Sequence, residues 1–182
     1  MKQLSQSPAA LIALKARETS KTDVTNGMQQ VKDSDVPWYA AYPEPRPGAP
    51  ATISCNSVLR RLHMGQESGK DFLIIDTRRN DHDGGFIKGS LNLPAQSIYP
   101  SLPTLLNMVK SARIPLVIFH CQSSRGRGTR AANWFRDLLE DEKIDNINSV
   151  ILEGGIKAWV RAGSDFIQLV DEYDQAYWQS IG

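Results

Sequence analysis

Cysteine is scarce in this chain. Its 182 residues hold only Cys55 and Cys121, which excludes a disulfide framework. A reducing compartment is expected, where a lone thiol stays available for chemistry. Histidine is nearly as scarce. His63, His82 and His120 are scattered, and with two distant cysteines they form no zinc pattern, so no metal is expected. An excess of one charge is missing as well. The formal net charge is +1, so no global field draws the chain to nucleic acid or to a membrane surface. Any anion recognition has to be local. Long apolar runs are absent too. AALIALK near the start ends in Lys15, with Arg17 two positions on; it is too short to span a bilayer and a poor signal peptide. The expectation is a cytoplasmic or nuclear protein with no nucleic-acid and no membrane partner, a monomer or weak dimer.

What is present divides the chain in two. Residues 1–50 read as a flexible, Pro-rich N-terminal extension, with a short helix expected around Pro8 to Glu18. Within it, PWYAAYPEPRPGAP (37–50) favours extended, polyproline-like chain and reads as a tether. A catalytic domain is expected over 51–182. Ser54 is a good N-cap for a helix through Val58, Leu59 and Leu62, closed by Gly65. DFLII (71–75) and PLVIFH (115–120) are continuous apolar runs, expected as strands buried on both faces. LNL and SVIL (149–152) add further strands. Helices are expected over 102–112, over 128–141, after Gly154-Gly155, and in DEYDQAYWQSIG, whose Tyr173, Tyr177 and Trp178 should fold back on the domain. Strands alternating with helices imply an α/β fold, a central parallel sheet with helices on both faces. Sites in such sheets lie at the carboxyl ends of the strands.

One such end carries VIFHCQSSRGRGTRAA. Cys121 is followed by five residues and then Arg127. A loop with Gly126 and Gly128 can curl so that successive backbone N–H groups point inward as an anion nest. The next helix presents its positive N-terminus to the same point. Arg127 supplies a planar fork for two oxygens of a tetrahedral oxyanion. The same features stabilise a thiolate, so Cys121 is expected to be nucleophilic. The bland alternative, a cysteine that merely packs at a strand end, leaves the glycines and arginines without a purpose. Gln122, Ser123, Ser124, Arg125, Gly126 and Arg127 are the expected oxyanion-binding set. Arg125 is expected to face solvent. His120 should face away from Cys121, because neighbours on a strand point to opposite sides, and should orient the loop by hydrogen bonding to backbone.

This stretch resembles the active-site loop of the rhodanese superfamily, in the branch with five residues between Cys and Arg that holds the M-phase-inducer phosphatases and the eukaryotic arsenate reductases. IIDTRRNDHDGGFIKGSLNLP and VILEGGIKAW agree with that family in the same order, and the likeness covers residues 51–162. It implies a rhodanese-like domain with Cys121 as nucleophile and Arg127 as oxyanion-binding arginine. It also implies that Asp76 and Arg78 support the sheet edge beside the site, and that Asp81 is the acidic residue before the Gly-Gly turn. Sulfurtransferases of this fold have a loop one residue shorter, so sulfurtransfer is the weaker reading.

Two departures bear on the reaction. The M-phase-inducer phosphatases carry a glutamate where this chain has Gly126, so no loop carboxylate can protonate a leaving alcohol. They also carry a cysteine where this chain has Thr77. Arsenate reduction needs neither. The expected function is therefore arsenate reduction, with no bound cofactor and with glutathione or a glutaredoxin as external reductant. A phosphatase acting on phosphoproteins through a phosphocysteine, a sulfurtransferase, and a non-catalytic phosphoprotein-binding module are the alternatives. Asp81 or a neighbouring carboxylate remains open as a general acid, with a turn or salt-bridge role the simpler reading.

Overall fold

The structure, a computed structural model, describes residues 36–181. The helix expected around Pro8 to Glu18 lies outside the described residues. The chain divides into two units, Met1–Glu44 and Pro45–Gly182. In the described part of the first, Trp38–Ala41 forms a 3-10 turn, where the prolines suggested extended chain throughout. The second unit starts six residues ahead of the expected boundary at 51. Arg46 accounts for the difference: its N–H donates to Asp137 Oδ2 at 2.8 Å and its guanidinium pairs with Glu140 at 3.0 Å, joining residues 45–50 to the domain.

Five strands form one parallel sheet: β1 (Ala51–Ile53), β2 (Leu73–Asp76), β4 (Leu91–Asn92), β5 (Leu116–His120) and β6 (Asn148–Leu152), in the order β1-β6-β5-β2-β4. The register sets Asp76 beside His120 and Phe119 beside Ile151. A separate antiparallel pair joins β3 (Phe86–Ile87) to β7 (Val170–Asp171). Side chains alternate across the sheet. Ile74, Ile118, Val150 and Leu152 form one core with Val58 and Leu59 of α1 (Cys55–His63) and Ile156, Trp159 and Val160 of α4 (Gly155–Arg161). On the opposite face Phe119 meets Phe135, ring centroids 5.7 Å apart. Phe135 lies on α3 (Arg127–Asp141), which packs beside α2 (Ala95–Ser111).

Ser54 caps α1 as expected, accepting from the Ser57 N–H. α2 starts seven residues ahead of the expected start at 102, running through Pro100 and Pro103. Each proline removes one helix donor. Even so, Ala95, Ile98, Leu102, Leu105, Leu106 and Val109 form one buried stripe, and burial of that stripe outweighs the lost bonds. Two short helices complete the chain, α5 (Ser164–Ile167) and α6 (Gln175–Ser180). In α6, Trp178 Nε1–H donates to Gly84 O at 2.7 Å, so the chain end folds onto the Gly84-Gly85 turn. No described helix is long and apolar enough to cross a membrane.

Candidate active site

Cys121 directly follows β5 at the carboxyl edge of the sheet and is 3% exposed. The loop 122–126 leaves the strand and becomes α3. No amide N–H from Gln122 through Arg127 donates to another group among the described residues. A run of uncommitted donors beside a sulfur, at the start of a fifteen-residue helix, is the arrangement that can cradle an anion. Ser124 takes the left-handed conformation, φ 55°, and its hydroxyl is buried without a partner among the described residues. Thr129 holds the turn: its hydroxyl donates to Ser124 O at 2.7 Å, and the Arg130 N–H donates to Gly126 O at 2.9 Å. Arg125 is exposed and Ser123 half-buried.

A second element holds the start of the loop. The Ile156 N–H donates to Cys121 O at 3.1 Å and the Lys157 N–H to Gln122 O at 2.9 Å. This close approach requires Gly155. Its φ is +63°, and a Cβ there would lie 2.3 Å from Cys121 O. The late Gly-Gly is thus part of the loop's support, although it lies more than thirty residues away in sequence.

Arg127 sits at the mouth, paired with Asp81. Its Nη1 and Nη2 donate to the two carboxylate oxygens at 2.6 and 2.5 Å. This ion pair holds the Asp81 carboxyl at about 2 and raises the already high Arg127 value. Of the roles left open for Asp81, the structure places it in a salt bridge, and the partner is Arg127, the arginine expected from sequence to bind the oxyanion. Sequence reading missed that pairing. The two residues are 46 apart, and only the tertiary fold shows which cation the turn faces.

Asp76 and Arg78 lie beneath this turn, both fully buried. They stand at the end of β2, at the carboxyl edge of the sheet, with Asp76 beside His120. Arg78 donates from Nε and Nη2 to the Asp76 carboxylate at 2.9 and 2.6 Å, and from Nη2 to Gly85 O at 2.8 Å. Longer bonds reach Asp81 O and Asp83 O at 3.3 and 3.4 Å. One buried guanidinium therefore shapes the turn that carries Asp81. Burial opposes the charge on Asp76, but the neighbouring imidazole of His120 and the Arg78 fork override it and keep its carboxyl below the ordinary range.

His120 is fully buried. Its Nδ1 lies 3.3 Å from Cys121 O and 3.9 Å from Asp76 Oδ1. Burial pushes the imidazole below its ordinary value, against the pull of Asp76. The Nδ1 contact with the Cys121 carbonyl ties the ring to the backbone at the start of the loop. His120 O accepts from both the N–H and the hydroxyl of Thr77 at 2.8 Å. Thr77 thus occupies with a hydroxyl the place where the phosphatases of this branch hold a cysteine.

Cys55 starts α1 at the end of β1, with β6 between β1 and β5. Two strand spacings put it roughly 9–10 Å from the Cys121 end, beyond the ~7 Å Cα limit of a disulfide. Burial pushes its thiol up to about 11, and its Sγ contacts Glu153 O at 3.5 Å. It is not placed to resolve an adduct on Cys121. No group of three or more His, Cys, Asp or Glu side chains among the described residues is arranged to hold a metal ion.

Residues 56–162 match the model of the rhodanese-like domain. The chain belongs to the rhodanese-like domain family. Within the family it is similar to arsenical-resistance protein 2 of Saccharomyces cerevisiae, 35% identical over 97 residues covering 50% of this chain and 75% of that protein. It is also similar to the dual specificity phosphatase ibp1 of Schizosaccharomyces pombe, 31% identical, covering 52% of this chain and 79% of the relative. Among solved structures, an As-Sb reductase from Leishmania major superposes with TM-score 0.59 at 24% identity, covering 66% of this chain and 84% of that one. That likeness concerns the fold. The relatives of this rhodanese-like domain include both arsenate reductases and M-phase inducer phosphatases.

Proposed function

We propose that this rhodanese-like protein is a cysteine-dependent arsenate reductase that uses an external thiol. The observation that carries the reading is an oxyanion cradle with no acid poised over it. Position 126 is glycine, and Asp81, whose turn faces the cradle, is held as a carboxylate by Arg127. Phosphoester hydrolysis needs a proton for a leaving alcohol. Arsenate loses only a hydroxyl, and partly protonated arsenate carries protons of its own.

In the proposed reaction the loop amides and Arg127 hold arsenate, and the Cys121 thiolate attacks arsenic. An S–As bond forms, and one arsenate hydroxyl takes a proton and leaves as water. A glutathione thiolate then attacks the Cys121 sulfur. An S–S bond forms, the S–As bond breaks, and its electron pair stays on arsenic, reducing As(V) to As(III). A second thiol, from glutathione or a glutaredoxin, exchanges with the mixed disulfide and frees Cys121. The test is arsenite production from arsenate and glutathione by wild type and by Cys121→Ser. Wild type is expected to turn over and the variant not. Arsenate left untouched beside rapid aryl phosphate hydrolysis would instead establish the phosphatase reading.

A further inference from the structure

Beside the cradle lies a cavity of about 530 Å³, lined by Ser123 and Arg125 of the loop and by Gly154, Lys157, Ala158, Arg161 and Ala162. Positions 154, 157/158 and 161 follow helical spacing, so one face of α4 forms a wall and the catalytic loop closes the end. Three cations line this space and no acid does. The Arg125 and Arg161 side chains make no hydrogen bond or ion pair among the described residues. The Lys157 ammonium donates only to a backbone carbonyl, Ile181 O at 3.1 Å. The nearest carboxylate in sequence, Glu153, already accepts from the Thr52 hydroxyl at 2.8 Å. The chain as a whole is almost neutral, with a formal net charge of +1, so three cations with no acid among them stand out.

We propose that this groove binds the anionic thiol that completes the reaction, with Lys157 and Arg161 holding the carboxylates of a glutathione-type peptide. This rests on the arsenate reductase reading. The volume suits a small peptide, since ligand clefts typically span ~300–1,000 Å³. The position suits the chemistry. Ser123 and Arg125 belong to the loop that follows Cys121, and the Lys157 amide is bonded to Gln122 O. A thiol anchored by its carboxylates on α4 would therefore lie against the loop that follows the sulfur it has to attack. Guanidinium and ammonium groups bind carboxylates by charge-assisted hydrogen bonds, and holding the reactant in place turns a bimolecular encounter into a local one. The attacking thiolate forms the S–S bond to Cys121 and arsenite departs with the electron pair of the S–As bond, as above.

The test uses the full chain, Arg161→Glu and the double variant Lys157→Gln/Arg161→Gln. The first measurement is calorimetric titration with S-methylglutathione, which cannot react and reads binding apart from turnover. Wild type is expected to bind, with affinity falling roughly tenfold for each cation–carboxylate pair removed. The second is steady-state arsenate reduction. KM for glutathione should rise by a similar factor, while KM for arsenate and the rate with uncharged 2-mercaptoethanol stay unchanged. No binding of S-methylglutathione to wild type, or equal binding to all three proteins, would overturn the assignment. So would an acidic phosphotyrosyl peptide that loses affinity in the variants while S-methylglutathione does not bind, which would make the groove a protein-substrate site. Failure of arsenate reduction with every thiol, with S-methylglutathione still bound through Lys157 and Arg161, would refute the reductase reading and leave the groove assignment supported.

Discussion

Asp81 occupies Arg127, the arginine proposed to hold the oxyanion, so replacing Asp81 with asparagine should tighten oxyanion binding. The asparagine side chain keeps the shape of the turn and an acceptor for the Arg79 N–H, which in wild type donates to Asp81 Oδ1 at 3.2 Å. It removes the charge that pairs with Arg127. A carboxyl shifted from 3.8 to about 2 corresponds to about 2.4 kcal/mol. The two side chains are 27% and 31% exposed, and solvent screening reduces this to about 1–2 kcal/mol. A bound oxyanion has to displace that ion pair, so Asp81→Asn should lower the Kd for inorganic phosphate by about 5- to 30-fold. Calorimetric titration of both proteins measures it directly. The sign of the pH dependence follows from the depressed carboxyl. The pair is fully present above the ordinary carboxylate value and is lost as pH falls through about 2. The gain should therefore be constant from about pH 5 to pH 9. It should shrink in high salt, because the pair is partly exposed. An unchanged or higher Kd would refute the idea that Asp81 competes for Arg127 and would make it part of the oxyanion site instead.

Other perturbations test the supporting shell. Gly155→Ala places a Cβ 2.3 Å from Cys121 O at φ +63°; it should destabilise the fold by about 2–3 kcal/mol and reduce turnover, read by denaturant melts and by activity. Arg78→Met leaves Asp76 buried without its fork, which should cost about 3–5 kcal/mol and lower Tm by roughly 6–20 °C in a thermal melt. Gly126→Glu puts a carboxylate where a side chain meets nothing within 4 Å; aryl phosphate hydrolysis should rise by about 10- to 100-fold, and no rise would mean that a missing acid is not what separates this chain from the phosphatases. Cys55→Ser should leave arsenate turnover with glutathione unchanged, whereas a large loss would show that Cys55 reaches the site.

Local pattern carried most of the architecture. The apolar strands around Ile74, Ile118 and Ile151, the Ser54 cap and the amphipathic helix after Arg127 were all legible, because side-chain period and capping chemistry act over a few residues. The start of α2 was not. Pro100 and Pro103 argue locally against helix, and only a packed face running from Ala95 to Val109 outweighs them. The extra residues 45–50 were hidden for a similar reason: Arg46 reaches Asp137 and Glu140, about ninety positions away.

The site divides along the same line. Sequence alone determined the strand-end Cys121, the five-residue gap to Arg127 and the glycine at 126, since a loop's length and its uncommitted amides belong to one contiguous stretch. Tertiary structure decided what that loop faces. The fold turns Asp81 onto Arg127, holds Gly155 against the Cys121 carbonyl, puts β6 between Cys55 and Cys121, and lines Lys157 and Arg161 beside Arg125. Each of these joins residues tens of positions apart. Charge pairing and close backbone approach are set by distance in space, and that distance is fixed only when the sheet assembles.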